Sequence, residues 1–173
     1  GTGLHATTRL CLRAAEALAR PGVRVLDVGS GSGILAIAAA LLGAGPILAL
    51  DMDPIAVEVA QENVALNGVA GAVTVAHGTL REEEAADSLV RRTAPEGYDL
   101  ILANILAEVI TAMAPALARA LAPQGVLVTS GILAAKADGV AEALATAGLA
   151  VVERPQEEEW VALVARRAHP TRE

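Results

Sequence analysis

The chain has 173 residues, 54% of them hydrophobic, with a formal net charge of −7 and a pI near 5.0. That length suits one domain with a sizeable core. The acidic balance, the lack of a Lys/Arg stripe and the presence of only Tyr98 and Trp160 as aromatic rings argue against direct nucleic-acid binding, which draws on clustered cations and stacking side chains. The longest apolar run, Ile34 to Leu42, is nine residues, far short of the ~20 that span a bilayer. No charged-then-apolar leader opens the chain, so no membrane association is expected and the cytoplasm is the expected compartment. Cys11 stands alone and no Cys/His set has metal-ligand spacing, which excludes an internal disulfide framework and an evident metal site.

In chain order, a first helix carrying Cys11 precedes Val23–Val28, a short apolar run that reads as a strand entered through Pro21-Gly22. Ile34–Leu42 reads as a helix stopped by Gly43, and Ile47–Leu50 as a second strand. Asp53-Pro54 is an N-cap followed by Pro at the first helical position, opening a helix over 55–66 that Asn67-Gly68 ends. Val73–Ala76 is a third strand, and the charged stretch Arg81–Arg92 is expected to be a surface helix. Tyr98–Ala103 is a fourth strand, apolar enough to be buried on both faces. Leu106–Leu121 is helical, Val126–Thr129 a fifth strand, and Leu133–Ala147 a further helix. Leu149–Glu153 and Trp160–Ala165 then follow with no helix between them, and so short a connection forces an antiparallel hairpin. The expected fold is a Rossmann-like, doubly wound α/β domain: a mostly parallel seven-stranded sheet with a reversed last strand.

The strongest motif is Asp27-Val28-Gly29-Ser30-Gly31-Ser32-Gly33, at the junction of the first strand and the next helix. Glycines there permit a sharp turn and close approach of a ligand to the backbone. Asp51, 22 residues after Gly29 at the tip of the second strand, lies beside that turn in a parallel sheet, where a carboxylate can accept hydrogen bonds from ribose hydroxyls. A dinucleotide fingerprint, G-x-G-x-x-G, needs its third glycine at position 34, which is Ile34; the glycine is Gly33 instead. Asp27 also opposes a pyrophosphate at the helix N-terminus, whereas it suits a ligand bearing an amino group and a sulfonium. The competing reading is an ordinary glycine turn with Asp51 as a helix cap.

Asp-x-Gly-x-Gly-x-Gly followed by an acid after the second strand resembles class I S-adenosylmethionine-dependent methyltransferases over almost the whole chain. Gly1-Thr2-Gly3-Leu4-His5-Ala6-Thr7-Thr8, Asn104-Ile105-Leu106-Ala107, Ser130-Gly131-Ile132-Leu133 and Glu158-Glu159-Trp160 are similar to the catalytic domain of methyltransferases that modify ribosomal protein L11. The resemblance implies S-adenosyl-L-methionine as cofactor. Thr8 would meet its methionine end, Gly29 and Gly31 would pass beneath it, Asp51 would hold its ribose, and Met52 and Leu80 would flank its adenine. Asn104 would sit next to the cofactor's reactive methyl group and, with the carbonyl of Ile105, hold the acceptor amine, and so is both a cofactor-binding and the catalytic candidate; its competing role is to cap the following helix. The implied partner is a protein substrate, a ribosomal protein, methylated on amino groups. Ala6 stands where the family usually has Pro, and Ser30 where Cys is common. The family's N-terminal substrate-recognition domain is not in this sequence, which on this reading is a single catalytic domain, 1–173, and which starts without Met. Two alternatives follow: a cofactor-binding fragment inactive without that domain, and a nicotinamide-dependent oxidoreductase. His5 reads equally as a loop hydrogen-bonder or a base, Glu157–Glu159 as a solvated turn, Trp160 as packing, and Cys11 as buried and inert.

Overall fold

The computed structural model describes residues 4–85 and 87–169; Gly1–Gly3 of the opening motif lie outside the described residues. Helix α1 (Ala6–Leu18) leads into β1 (Val25–Val28), α2 (Ile34–Leu41), β2 (Ile47–Asp51), α3 (Pro54–Leu66), β3 (Val73–His77), α4 (Leu89–Thr93) and β4 (Tyr98–Asn104). Then come α5 (Ala107–Ala120), β5 (Leu121–Leu133), a 3-10 turn over Ala134–Lys136, α6 (Ala137–Thr146), β6 (Leu149–Glu153), β7 (Gln156–Glu157) and β8 (Trp160–Arg167). The sheet runs β3-β2-β1-β4-β5-β8-β6, with β7 paired to β8. Strands β1 to β5 pair in parallel, and β8 is antiparallel to both its neighbours. The doubly wound architecture with one reversed strand is therefore as the sequence implied; the two-residue β7, formed by the tight turn into β8, is an addition.

Alternation along the central strands sends each side chain to one of two cores. Leu26, Val28, Ile101 and Ala103 pack with α5 and α6 residues such as Ile110, Leu117 and Leu144. Val25, Leu100 and Leu102 pack on the other face with Cys11 and Ala15 of α1 and Leu35, Ala36 and Ala39 of α2. Ala36 and Ala39 are fully buried, so α2 lies close on the sheet without large side chains, which compensates for the absence of Phe.

Two expectations need correction. The charged stretch expected to be helical over 81–92 turns into a helix only at Leu89, where the Ser88 side chain accepts from the Arg91 N–H. Glu82, Glu83 and Glu84 gain nothing from crowding like charges into one helical turn, and Glu84 instead accepts from the Arg81 N–H. The fifth strand is longer than its apolar centre, because its pairing starts at Leu121 opposite Tyr98 and continues to Leu133 opposite Trp160.

The order reverses between β1 and β4: β2 and β3 lie to one side, β4 and β5 to the other. The loops leaving β1 and β4 depart in opposite directions, and a crevice opens at the carboxyl ends of these strands. That is where the motifs converge.

Candidate active site

The turn after β1 is left-handed at Gly29, Gly31 and Gly33, with φ of 70°, 54° and 85°, a conformation that side chains disfavour. Gly29 and Ser30 donate their N–H groups to the Leu50 carbonyl at 2.8 and 2.9 Å, which ties the turn to the end of β2. A Cβ on Gly29 would run into Ile105 Cγ2, so the loop after β4 rests directly on this glycine. Gly33 caps α2 and faces Ala60 of α3.

Asp51 sits at the tip of β2, half-buried. Its Oδ2 accepts from the Gly31 N–H at 2.8 Å and its Oδ1 from the Asp53 N–H at 2.9 Å. Each carboxylate oxygen retains further acceptor capacity. The cap of α3 is Asp53, whose Oδ1 accepts from the Ile55 N–H, so Asp51 is not a helix cap. The carboxylate instead bridges the second strand tip to the glycine turn, at the edge of a cleft of about 360 Å³. Gly29 and Asp51 contribute to its floor, Met52, Gly78 and Thr79 line it, and Leu106, Val109 and Met113 line it from the α5 side. Met52 is 61% exposed and free to cover a flat ring. Leu80 does not line this cleft: it is buried in the apolar core under the crossover to β4, where a leucine side chain loses more water-exposed surface than it would at the rim. Gly78 and Thr79 occupy the wall that Leu80 was expected to form.

The other half of the site is closed by α1. The His5 ring caps this helix, its Nδ1 accepting from the Thr7 N–H, and its edge meets Trp160 with centroids 5.1 Å apart. Thr8, in the first turn, is buried and accepts from Asn104 Nδ2 at 3.4 Å. Asn104 ends β4 and does not cap α5, whose N-cap is Leu106 with no side-chain bond. The carboxamide is thus turned toward the α1 side of the site.

Asp27 lies beneath, 1% exposed. Its Oδ2 accepts from the Ala36 N–H at 3.2 Å, while Oδ1, like Ser30 Oγ nearby in sequence, has no hydrogen-bond partner among the described residues. Burial pushes this carboxyl up to about 7, with the Ala36 N–H opposing and the Asp51 charge adding to the rise. Unsatisfied buried polar atoms of this kind are costly.

The family model described as ribosomal protein L11 methyltransferase (PrmA) matches residues 1–168. The chain belongs to that family. Ribosomal protein L11 methyltransferases of Chloroflexus aurantiacus and Pelotomaculum thermopropionicum are 52% and 54% identical to it, each over 96% of this chain and 55% and 51% of their own length. The chain thus spans about half the length of the curated relatives it matches. A solved ribosomal protein L11 methylase from Lactobacillus delbrueckii superposes with a TM-score of 0.81 at 34% identity, covering 96% of this chain and 81% of that one. Membership of this family leaves no support for the nicotinamide reading.

One contact that holds α1 in place is invisible to motif reasoning. Glu157, expected in a solvated turn, accepts from Arg9 Nε at 2.7 Å and faces Arg13 at 3.2 Å, its side chain 21% exposed. Only the tertiary contact between hairpin and α1 reveals it. Cys11 is buried as expected, and burial lifts its thiol to about 12.

Proposed function

We propose that this domain transfers a methyl group from S-adenosyl-L-methionine to amino groups of a protein, namely ribosomal protein L11, in the cytoplasm. The observation that carries the reading is the Asp51 carboxylate, held between the Gly31 and Asp53 amides at the edge of the cleft. The residues present fit the cofactor: a glycine floor, a carboxylate for ribose hydroxyls, an apolar wall of Met52, Val109 and Met113, and the unpartnered Asp27 Oδ1 and Ser30 Oγ for polar groups. No described helix is long and apolar enough to cross a membrane.

S-adenosylmethionine, when bound, offers a methyl group on a positively charged sulfur, which an amine lone pair displaces so that the charge passes to nitrogen. Asp51 would anchor the ribose, Met52 would cover the adenine, Gly29 and Gly31 would run beneath, and Thr8 would border the methionine end. Asn104 Oδ1 and the Ile105 carbonyl are acceptors able to hold the amine N–H groups and orient its lone pair. A free lysine titrates at about 10.4; once a bound protein substrate covers the apolar Ile105 and the exposed Leu106, loss of water there would favour the neutral amine that can react. The chain's contribution is alignment at near-attack distance.

Calorimetric titration with S-adenosylhomocysteine tests the reading. The domain should bind it, and Asp51→Ala should weaken binding at least tenfold, the scale of a lost charge-assisted hydrogen bond. Unchanged affinity in that variant defeats the assignment. Labelled transfer to purified L11 tests the acceptor.

A further inference from the structure

β5 and β8 slip out of register at one place. Thr129 pairs with Leu163 and Ile132 with Val161, so Ser130 and Gly131 together oppose the single residue Ala162. This is a β-bulge, with Gly131 left-handed at φ 84°; bulges re-aim side chains and end pairing next to functional sites. Here it does both. Ser130 is completely buried and its Oγ donates to the Thr7 carbonyl at 2.9 Å, in the turn of α1 that carries Thr8. The Ser130 carbonyl accepts from the Ile105 N–H at 3.2 Å, continuing the parallel pairing of Asn104 with Ser130. Gly131 fits because it has no side chain: a Cβ there would lie 2.5 Å from the Ile105 carbonyl oxygen and 3.2 Å from Asn104 Oδ1.

Asn104 Oδ1 and the Ile105 carbonyl thus converge on the one glycine whose bareness admits them, and the neighbouring serine ties the same loop to α1. We infer that Ser130 and Gly131 are positioning residues for methyl transfer: the bulge fixes the two oxygens that hold the acceptor amine and locks them to the Thr7-Thr8 turn. Neither residue lines the cofactor cleft, so they act on the acceptor side. The inference rests on the proposed function, since it assigns a purpose to the oxygens that function employs.

Single-turnover transfer from labelled donor to L11 by the full chain, with parallel S-adenosylhomocysteine titrations, tests it. Gly131→Ala and Ser130→Ala should each slow transfer roughly tenfold to a hundredfold, the scale of a displacement near 1 Å at a reacting centre. Their S-adenosylhomocysteine affinities should stay within about threefold of the parent, which also shows that they fold. Ser130→Thr, which keeps the hydroxyl, should recover most of the rate. Parental transfer rates in both Ala variants overturn the inference, as does a loss of S-adenosylhomocysteine affinity that accounts for the whole loss of rate. Should the parent bind S-adenosylhomocysteine yet transfer nothing, the functional reading fails for this chain. The side-chain amide NMR signals of Asn104 then decide the positioning claim: displaced signals in Gly131→Ala support it, and unmoved ones overturn it.

Discussion

The Arg9 guanidinium grips the Glu157 carboxylate, joining the first turn of α1 to the tip of the final hairpin across 148 residues of sequence. Arg13 faces the second carboxylate oxygen from the next turn of the helix. This hold keeps α1 over the site, and with it Thr8, which is buried and reaches Asn104.

Replacing Glu157 with Gln should therefore lower the melting temperature at pH 7. The Arg9 guanidinium holds the Glu157 carboxyl below its ordinary 4.5. A depressed folded-state value gives stability that is present above about 4.5 and lost as pH falls through the lower folded value. The difference in melting temperature between parent and Glu157→Gln should thus shrink in acid. A constant difference from pH 7 down to pH 3 would show that the ion pair contributes nothing to it.

Asp27 predicts the opposite sign. Its folded-state carboxyl titrates near 7 against an ordinary 3.8, so between those values the folded chain holds a proton that the unfolded chain has lost. Stability contributed by this group falls as pH rises from about 4 to 7, then levels. Asp27→Asn, neutral throughout, should flatten that part of the stability profile, measured by urea unfolding at a series of pH values. An unchanged slope in the variant would place the titration elsewhere.

The turn between β7 and β8 holds Glu158 at φ 55°, where a side chain costs about 1–2 kcal/mol. Glu158→Gly should stabilise the fold by about 0.5–1 kcal/mol, because glycine's greater unfolded-state freedom offsets part of the relief. Denaturant midpoints read the difference.

Tyr98 is 1% exposed and its hydroxyl donates to the Val90 carbonyl at 2.9 Å, fastening α4 to the start of β4. Tyr98→Phe should cost about 1 kcal/mol, one buried hydrogen bond, without altering S-adenosylhomocysteine affinity. Loss of affinity would mean that α4 supports the cleft.

Local chemistry accounts for what was legible in the sequence. The strands betray themselves by continuous apolar runs, the glycine turn by its spacing, and Asp51 by following a strand that must neighbour the first. Asp53-Pro54 announces its helix, and the hairpin at the end follows from a connection too short to cross the sheet. The misses are tertiary. Leu80 is three residues beyond β3 and only packing decides that it faces the core rather than the cleft. Glu157 reads as solvent-facing until α1 brings two arginines to it. The bulge at Ser130 is invisible because its cause is the mismatch between two strands some 30 residues apart, not a property of either alone.

The insertion of β8 between β5 and β6 has a consequence for how the chain acquires its shape. Five strands can zip together in order of synthesis, each beside one already emerged, but β6 has no neighbour until β8 arrives to separate it from β5. Until β8 pairs along it from Val126 to Leu133, β5 presents a bare edge, and β6 has no strand beside it. Closure at the carboxyl end therefore cannot precede the synthesis of β8, and a nascent chain halted before it exposes a raw strand edge of the kind that invites aggregation.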